Sequence, residues 1–200
     1  MTKSKFQSPL LTQLAERIAT LPFDPSPQPY AVLVAITDEA EPRMLYSLRA
    51  SEMREHAGEV SFAGGRREDT DDSNQATALR ETFEETGIHP SQVQILGELP
   101  IHHAKSGRPV KPIIGLIPPN VTLVPEVGEI ARLFWADLAT LIEQPTVDYA
   151  YDLGEQVMIS PSFLVDGETV WGLTGRITAS LLEIGFDRKT AWYFKVEDKP

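Results

Sequence analysis

No cysteine occurs in the 200 residues. Disulfides, thiolate zinc sites and cysteine nucleophiles are therefore excluded, and a cytoplasmic location is the simplest fit. Positive charge is scarce. Eighteen lysines and arginines face 29 aspartates and glutamates, a net charge of −11, which disfavours nucleic acid as a partner because polyanion binding needs a basic face. A small anionic substrate stays compatible if metal ions and a few arginines reverse the local field. No apolar run approaches the ~18 residues that span a bilayer. The stretch MTKSKFQSPLLTQLAERIATL also lacks the uninterrupted apolar core of a secretory signal, so neither a membrane partner nor a leader is expected. What is present, 42% hydrophobic and 24% charged residues, is ordinary for a globular chain with one sizeable core.

Leu11, Leu14, Ala15, Ile18 and Leu21 keep helical spacing, which predicts an amphipathic helix over 8–21. The proline-rich PFDPSPQPY (22–30) reads as a stiff connector. Residues 1–29 thus precede a main domain over 30–190. YAVLVAITD and RMLYSLRA flank DEAEP and suggest a hairpin, EVSFAGG a short strand, and VQILGEL, KPIIGLIP and EIARLFWA further strands. SFLVDGETVW places Asp166-Gly167 between two apolar runs, a hairpin signal. TGRITASLLEIG gives a closing helix with Ile177, Leu181 and Ile184 on one face and Gly185 at its end. The alternation implies an α/β chain with a mixed sheet between helices.

The densest chemical signal is GGRREDTDDSNQATALRETFEETGI, from Gly64 to Ile88. Glu81, Glu84 and Glu85 stand at i, i+3 and i+4, so their carboxylates converge on one helical patch. Like charges repel there by a few tenths of a kcal/mol per pair, and a hard divalent cation such as Mg2+ or Mn2+ removes that cost because it prefers oxygen ligands. Asp72 fits the N-cap with Gln75 completing a capping box, Gly87 the left-handed stop, and Ala76, Leu79 and Phe83 the buried stripe. Arg80 is spaced to pair with Glu84. Gly64 and Gly65 suit a tight turn beside metal or phosphate.

This segment resembles the signature of the Nudix hydrolases, which cleave nucleoside diphosphates linked to another group. The match falls on Gly65, Arg80, Glu81, Glu84, Glu85, Gly87 and Ile88. The interval from Gly65 to Arg80 is one residue longer than the general pattern, so the first acid is Asp71 or Asp72, and Thr82 replaces an apolar or small residue. The longer interval and the upstream run LRASEMREHAGEVSFAGG (Leu48–Gly65) resemble the branch that hydrolyses coenzyme A, through Met53, Arg54, His56, Gly58, Val60, Phe62, Gly64 and Gly65. Ala63 stands in place of that branch's proline, and Ala50 in place of its serine. SGRPVKPIIGLI, EVGEIARLFWADLATL and VWGLTGRITASLL look like the same branch, so the likeness covers roughly 30–185.

The resemblance implies an α/β/α sandwich and a Mg2+- or Mn2+-dependent diphosphatase. Glu81, Glu84 and Glu85 would be its metal ligands and catalytic carboxylates, with Glu84 a ligand or a water-orienting base. Glu129, with Glu126 beside it, is a further catalytic candidate against a plain surface acid. Arg49, Arg54 and His56 are the first choices for the substrate's phosphates, together with Gly64, Gly65 and Arg80. Arg66, Arg67, Lys105, Arg108 and Lys111 come second. The expected partner is a coenzyme A-like nucleotide, and a homodimer is allowed. ADP-ribose, NADH and nucleoside triphosphates stay open as substrates, as does an idle nucleotide-binding domain. His102-His103 reads as loop or surface, since neighbours on a strand face opposite ways. Phe134, Trp135 and Trp171 read as core.

Overall fold

The computed structural model describes residues 6–53 and 56–199. Helix α1 (Pro9–Ile18) starts where Ser8 accepts from Leu10 N–H and Pro9 takes the first turn. It ends before Leu21, shorter than the predicted span. The connector leads into β1 (Tyr30–Thr37), followed by β2 (Arg43–Arg49), β3 (Val60–Ser61) and β4 (Ala63–Arg66). EVSFAGG is thus two strands, not one, broken at Phe62: β3 pairs with β2 and β4 with β1. Helix α2 (Asn74–Thr86) and a one-turn 3-10 helix at Pro90–Gln92 come next, then β5 (Gln94–Glu98), β6 (His102–His103), β7 (Pro109–Ile117) and β8 (Ile130–Asp137). The chain continues through α3 (Leu138–Glu143), β9 (Val147–Asp152), β10 (Gln156–Val165), β11 (Glu168–Val170), α4 (Gly172–Phe186) and β12 (Lys195–Asp198).

The eight-stranded sheet is mixed. β1 runs parallel to β7, with Tyr30 opposite Val110, while the β1–β2, β1–β4, β2–β8 and β5–β7 pairs are antiparallel. Strand periodicity then divides the core in two. Ala31, Leu33, Ala35, Ile113 and Ile117 face α2, whereas Val34, Ile36, Met44, Tyr46 and Ile114 face α1 and α4. Helices therefore cover both faces, the predicted sandwich. Tyr46 and Thr178 share a buried 2.8 Å hydrogen bond that ties β2 to α4. A β-carbon on Gly185 would lie 2.7 Å from Leu14 Cδ1, so α1 and α4 meet at a close contact where any larger residue must push the Leu14 side chain aside. Gly185 is for this reason a packing residue inside α4, and the helix ends two residues later at Asp187 in the left-handed conformation.

Helix α2 departs from its predicted register in two ways. Ser73, not Asp72, is the N-cap, accepting from Ala76 N–H at 3.1 Å. The buried face is Asn74, Thr77, Ala78, Thr82 and Glu85, whereas Ala76 and Leu79 are half-buried and Phe83 is 46% exposed beside the His89 ring. Small side chains face the sheet because the β4 glycines bring its backbone close. Gly87 closes the helix with φ 77, as predicted. Phe134 is core, but Trp135 lies half-buried under Arg43, and Trp171 lies half-buried against Tyr149 and Tyr151. No helix among the described residues is long and apolar enough to cross a membrane.

Candidate active site

Two glycines bring β4 against α2. Gly64 has φ 150, and a β-carbon there would stand 2.4 Å from Ala31 O, so only glycine lets β4 lie so close to β1. Gly65 leaves a different gap. A β-carbon on it would fall 2.5 Å from Glu81 Cδ and Oε2, which means that the Glu81 carboxylate occupies the space of the missing side chain. One turn on, Glu85 Oε2 accepts from Gly64 N–H at 3.2 Å, and its other oxygen lies 4.0 Å from Arg49 Nη1. The helix thus presents two carboxylates to one glycine pair.

Arg80 holds this arrangement together. It donates Nε and Nη2 to the two oxygens of Asp71, each at 3.1 Å, a fork-on-fork pair. Nη2 also reaches Glu81 Oε1 at 3.0 Å and Arg66 O at 2.8 Å, and Nη1 reaches Glu84 Oε2 at 3.2 Å. The two candidates for the first acid differ sharply: Asp71 is buried on Arg80, while Asp72 is exposed. The guanidinium donating to Asp71 holds that carboxyl down at about 2, with burial opposing and the Glu68 N–H helping.

The glutamates behave in the opposite way. Burial is the main force raising Glu85, to about 7; Gly64 N–H and Arg49 resist, while the charges of Glu81 and Glu129 add to the rise. Glu81 is also raised, first by burial and then by Glu84 and Glu129, with Arg80 opposing. Glu129 is itself exposed, in the 118–129 loop. Backbone bonds from Val124 N–H to Thr86 O, Glu126 N–H to Glu85 O and Ala50 N–H to Glu129 O tie this loop across the end of α2. Its proximity is a matter of backbone anchoring, a signal that side-chain patterning does not carry.

Other candidates separate clearly. Arg49 is mostly buried beside Glu85, its Nε without a partner, just after a bulge in the β2–β8 pairing. His56 is exposed and turned to Glu59 at 2.9 Å, and Arg54 lies outside the described residues. Arg67 donates to Asp71 O. Lys111 is buried in a 3.1 Å ion pair with Glu98, so its charge is already balanced. His102-His103 forms the short strand β6, not a loop, with His102 half-buried.

Among the described residues, no three acidic or histidine side chains already converge as metal ligands. Arg80 holds oxygens of Glu81 and Glu84, and Glu85 turns to Gly64. The donor chemistry nonetheless suits a hard divalent cation. It is all oxygen, and Glu81 and Glu85 are carboxylates partly removed from water with too little positive charge around them.

A family model described as the NUDIX domain matches residues 27–152. The protein named "Uncharacterized Nudix hydrolase NudL" in Escherichia fergusonii is 36% identical over 160 residues, covering 78% of this chain and 82% of that protein. The same-named protein of Escherichia coli (strain K12) gives the same identity and coverage. Among solved structures, the chain is similar to a MutT/nudix family protein from Enterococcus faecalis, with 14% identity and a TM-score of 0.48 over 84% of this chain and 64% of that one.

Proposed function

Since this chain belongs to the Nudix family, we propose that the nucleoside diphosphate-linked substrate it hydrolyses is coenzyme A or an acyl-coenzyme A, split to 3′,5′-ADP and 4′-phosphopantetheine or its acyl form. Hydrolysis of a nucleoside diphosphate-linked substrate is the family's activity. The observation that carries the reaction here is the pair of carboxylates, Glu81 and Glu85, seated on Gly65 and Gly64 with Arg80 locked beside them. Support for the narrower substrate comes from the run Leu48–Gly65 and from Arg49, which that run delivers to within 4.0 Å of Glu85.

Nudix hydrolases use divalent ions such as Mg2+. Glu81 and Glu85 would hold such an ion, with Glu84 as a further ligand or water-orienting group. Bound there, it supplies charge neutralisation on the diphosphate oxygens and makes water a better nucleophile. The protein's own residues do the rest. Asp71 fixes Arg80, and Arg80 fixes the rotamers of Glu81 and Glu84, so the carboxylates are placed before substrate arrives. Arg49 offers an Nε–H without a protein partner, suited to a non-bridging phosphate oxygen. Glu129, whose charge acts on Glu81 and Glu85 from the rim, is the residue we assign to accept a proton from water. The cytoplasm, where coenzyme A is found, is the proposed setting.

Chromatography of the products formed from coenzyme A with Mg2+ tests the reading. 3′,5′-ADP and 4′-phosphopantetheine are expected. A strong preference for ADP-ribose, NADH or a nucleoside triphosphate over coenzyme A would overturn the substrate, and binding without turnover of any diphosphate would overturn the enzyme.

A further inference from the structure

Many cations in this acidic chain sit on carboxylates: Arg17 on Asp187, Arg43 on Glu39, Lys111 on Glu98 and Arg132 on Asp166 and Glu168. Lys105, Arg108 and Arg176 do not. None has an acidic side chain within ion-pair distance among the described residues, yet all three stand at one corner of the fold. Lys105 and Arg108 belong to the β6–β7 turn, which Ala104 N–H closes on Arg108 O at 2.9 Å. Arg176, half-buried on α4, donates Nη2 to His103 O at 2.6 Å, the residue just before that turn.

A second set of contacts closes the corner from the other side. Lys105 Nζ lies 5.5 Å over the Tyr151 ring, and Tyr151 lies 4.9 Å from Trp171. Trp171 is the residue at which α4 begins, and it provides no side-chain cap. The first turn of α4 has no acid either, so its partial positive charge adds to the same field. His102, on the adjoining strand, has a buried Nε2 with no partner. A guanidinium partly withdrawn from water without a counter-ion, beside two more unpaired cations, is costly unless an anion comes from outside.

The corner is at the catalytic end of the sheet. Val110 is opposite Tyr30, and Tyr30 is opposite Arg66, the residue after Gly65. Two strand spacings, ~10 Å, therefore separate the backbone at the start of β7 from the end of β4. Arg176 approaches from α4, on the face opposite α2, so a nucleotide that reaches both sets of residues passes around the Tyr30 end of the sheet. We propose that Arg176, with Lys105 and Arg108, binds a phosphate that the substrate carries outside its diphosphate bridge, so that the enzyme selects nucleotides with an additional phosphomonoester. This inference rests on the diphosphatase reading of the Glu81–Glu85 site and narrows its substrate class.

The test compares adenosine 3′,5′-bisphosphate with 5′-AMP, by calorimetric binding to the full chain, and coenzyme A with 3′-dephospho-coenzyme A, by kcat/KM. Wild type should favour the extra phosphate by about 10-fold or more in both pairs, as charge-assisted contacts provide. Arg176→Gln should reduce that ratio towards one, through Kd and KM and not kcat. The exposed double variant Lys105→Ala/Arg108→Ala, which does not disturb the core, should reduce it as well. Equal binding of bisphosphate and AMP by wild type, or a ratio retained in the double variant, refutes the subsite even if coenzyme A is hydrolysed. A bisphosphate preference lost in the variants, with no turnover of coenzyme A, leaves the subsite standing and removes the substrate proposed above.

Discussion

Replacing Gly65 with alanine separates catalysis from folding at a single methyl group. The new β-carbon would lie 2.5 Å from Glu81 Cδ, where ordinary contact begins at 3.4 Å, so the carboxylate must retreat by roughly 1 Å. Gly65 has no left-handed backbone to strain, and what must give way is the far end of a flexible side chain, so the fold loses little. The expected stability cost is at the low end of the ~1–3 kcal/mol typical of overpacking. The chemistry should suffer far more, because a 1 Å misplacement of a catalytic group costs about 10²-fold. Steady-state hydrolysis with saturating Mg2+, next to thermal unfolding of the same preparation, reads both. Gly167→Ala, in the β10–β11 turn, is the control: it has φ 82 and nothing near its added methyl, so it should cost backbone strain without touching the Glu81 site. A Gly65→Ala enzyme with wild-type kcat would show that the Glu81 carboxylate does not matter where it stands, and the assignment would fall.

Glu85→Gln keeps the Gly64 contact while removing a ligand charge, so turnover should drop by at least the ~10–100-fold lost with an outer-shell metal partner. The same change should stabilise the metal-free protein. Glu85 rises from 4.5 to about 7 on folding, so the native state loses stability as pH climbs through that window, up to about 3 kcal/mol. Chemical denaturation should find the gain at pH 8 and none near pH 4; no gain at pH 8 would contradict it. Asp71 moves the other way: its contribution is fully present above pH 3.8 and is lost as pH falls through about 2, so Asp71→Asn should lack that acid-side step in an unfolding titration. Arg80→Ala leaves Asp71 buried and unpaired, which should cost about 3–5 kcal/mol in urea unfolding, with Arg80→Lys recovering the charge but not the fork.

The longer strands of the main sheet were legible because one or both faces are buried and their residues are accordingly apolar, as in YAVLVAIT and KPIIGLI, whereas the two-residue β6 and the break between β3 and β4 carry no such run. β9 and β12 were not legible, since every residue of β12 and most of β9 face water and only Tyr149 and Tyr151 of β9 turn inward, too short an apolar pattern to mark a strand. The face of α2 was misread for a related reason. Hydrophobicity nominates Phe83, yet the glycine strand beneath the helix admits only Thr77, Ala78 and Thr82 and then a buried glutamate, which no apolar pattern reveals. Spacing brought Glu81, Glu84, Glu85 and Arg80 together, but the choice of Asp71 over Asp72 depends on which one tertiary packing buries. Arg176 carried a faint sign in the sequence: an arginine in a mostly apolar helical run with no acid three or four positions away.

The joint between Leu14 and Gly185 bears on what can be cut away. The stretch matched by the family model, 27–152, contains neither α1 nor α4. A protein trimmed to that stretch would bare Val34, Ile36, Met44, Tyr46 and Ile114 to solvent all at once. Helices α1 and α4 together act as the roof of one half of the molecule, so an insertion or tag that pries Pro9–Ile18 away would invite aggregation long before it reached the glutamates.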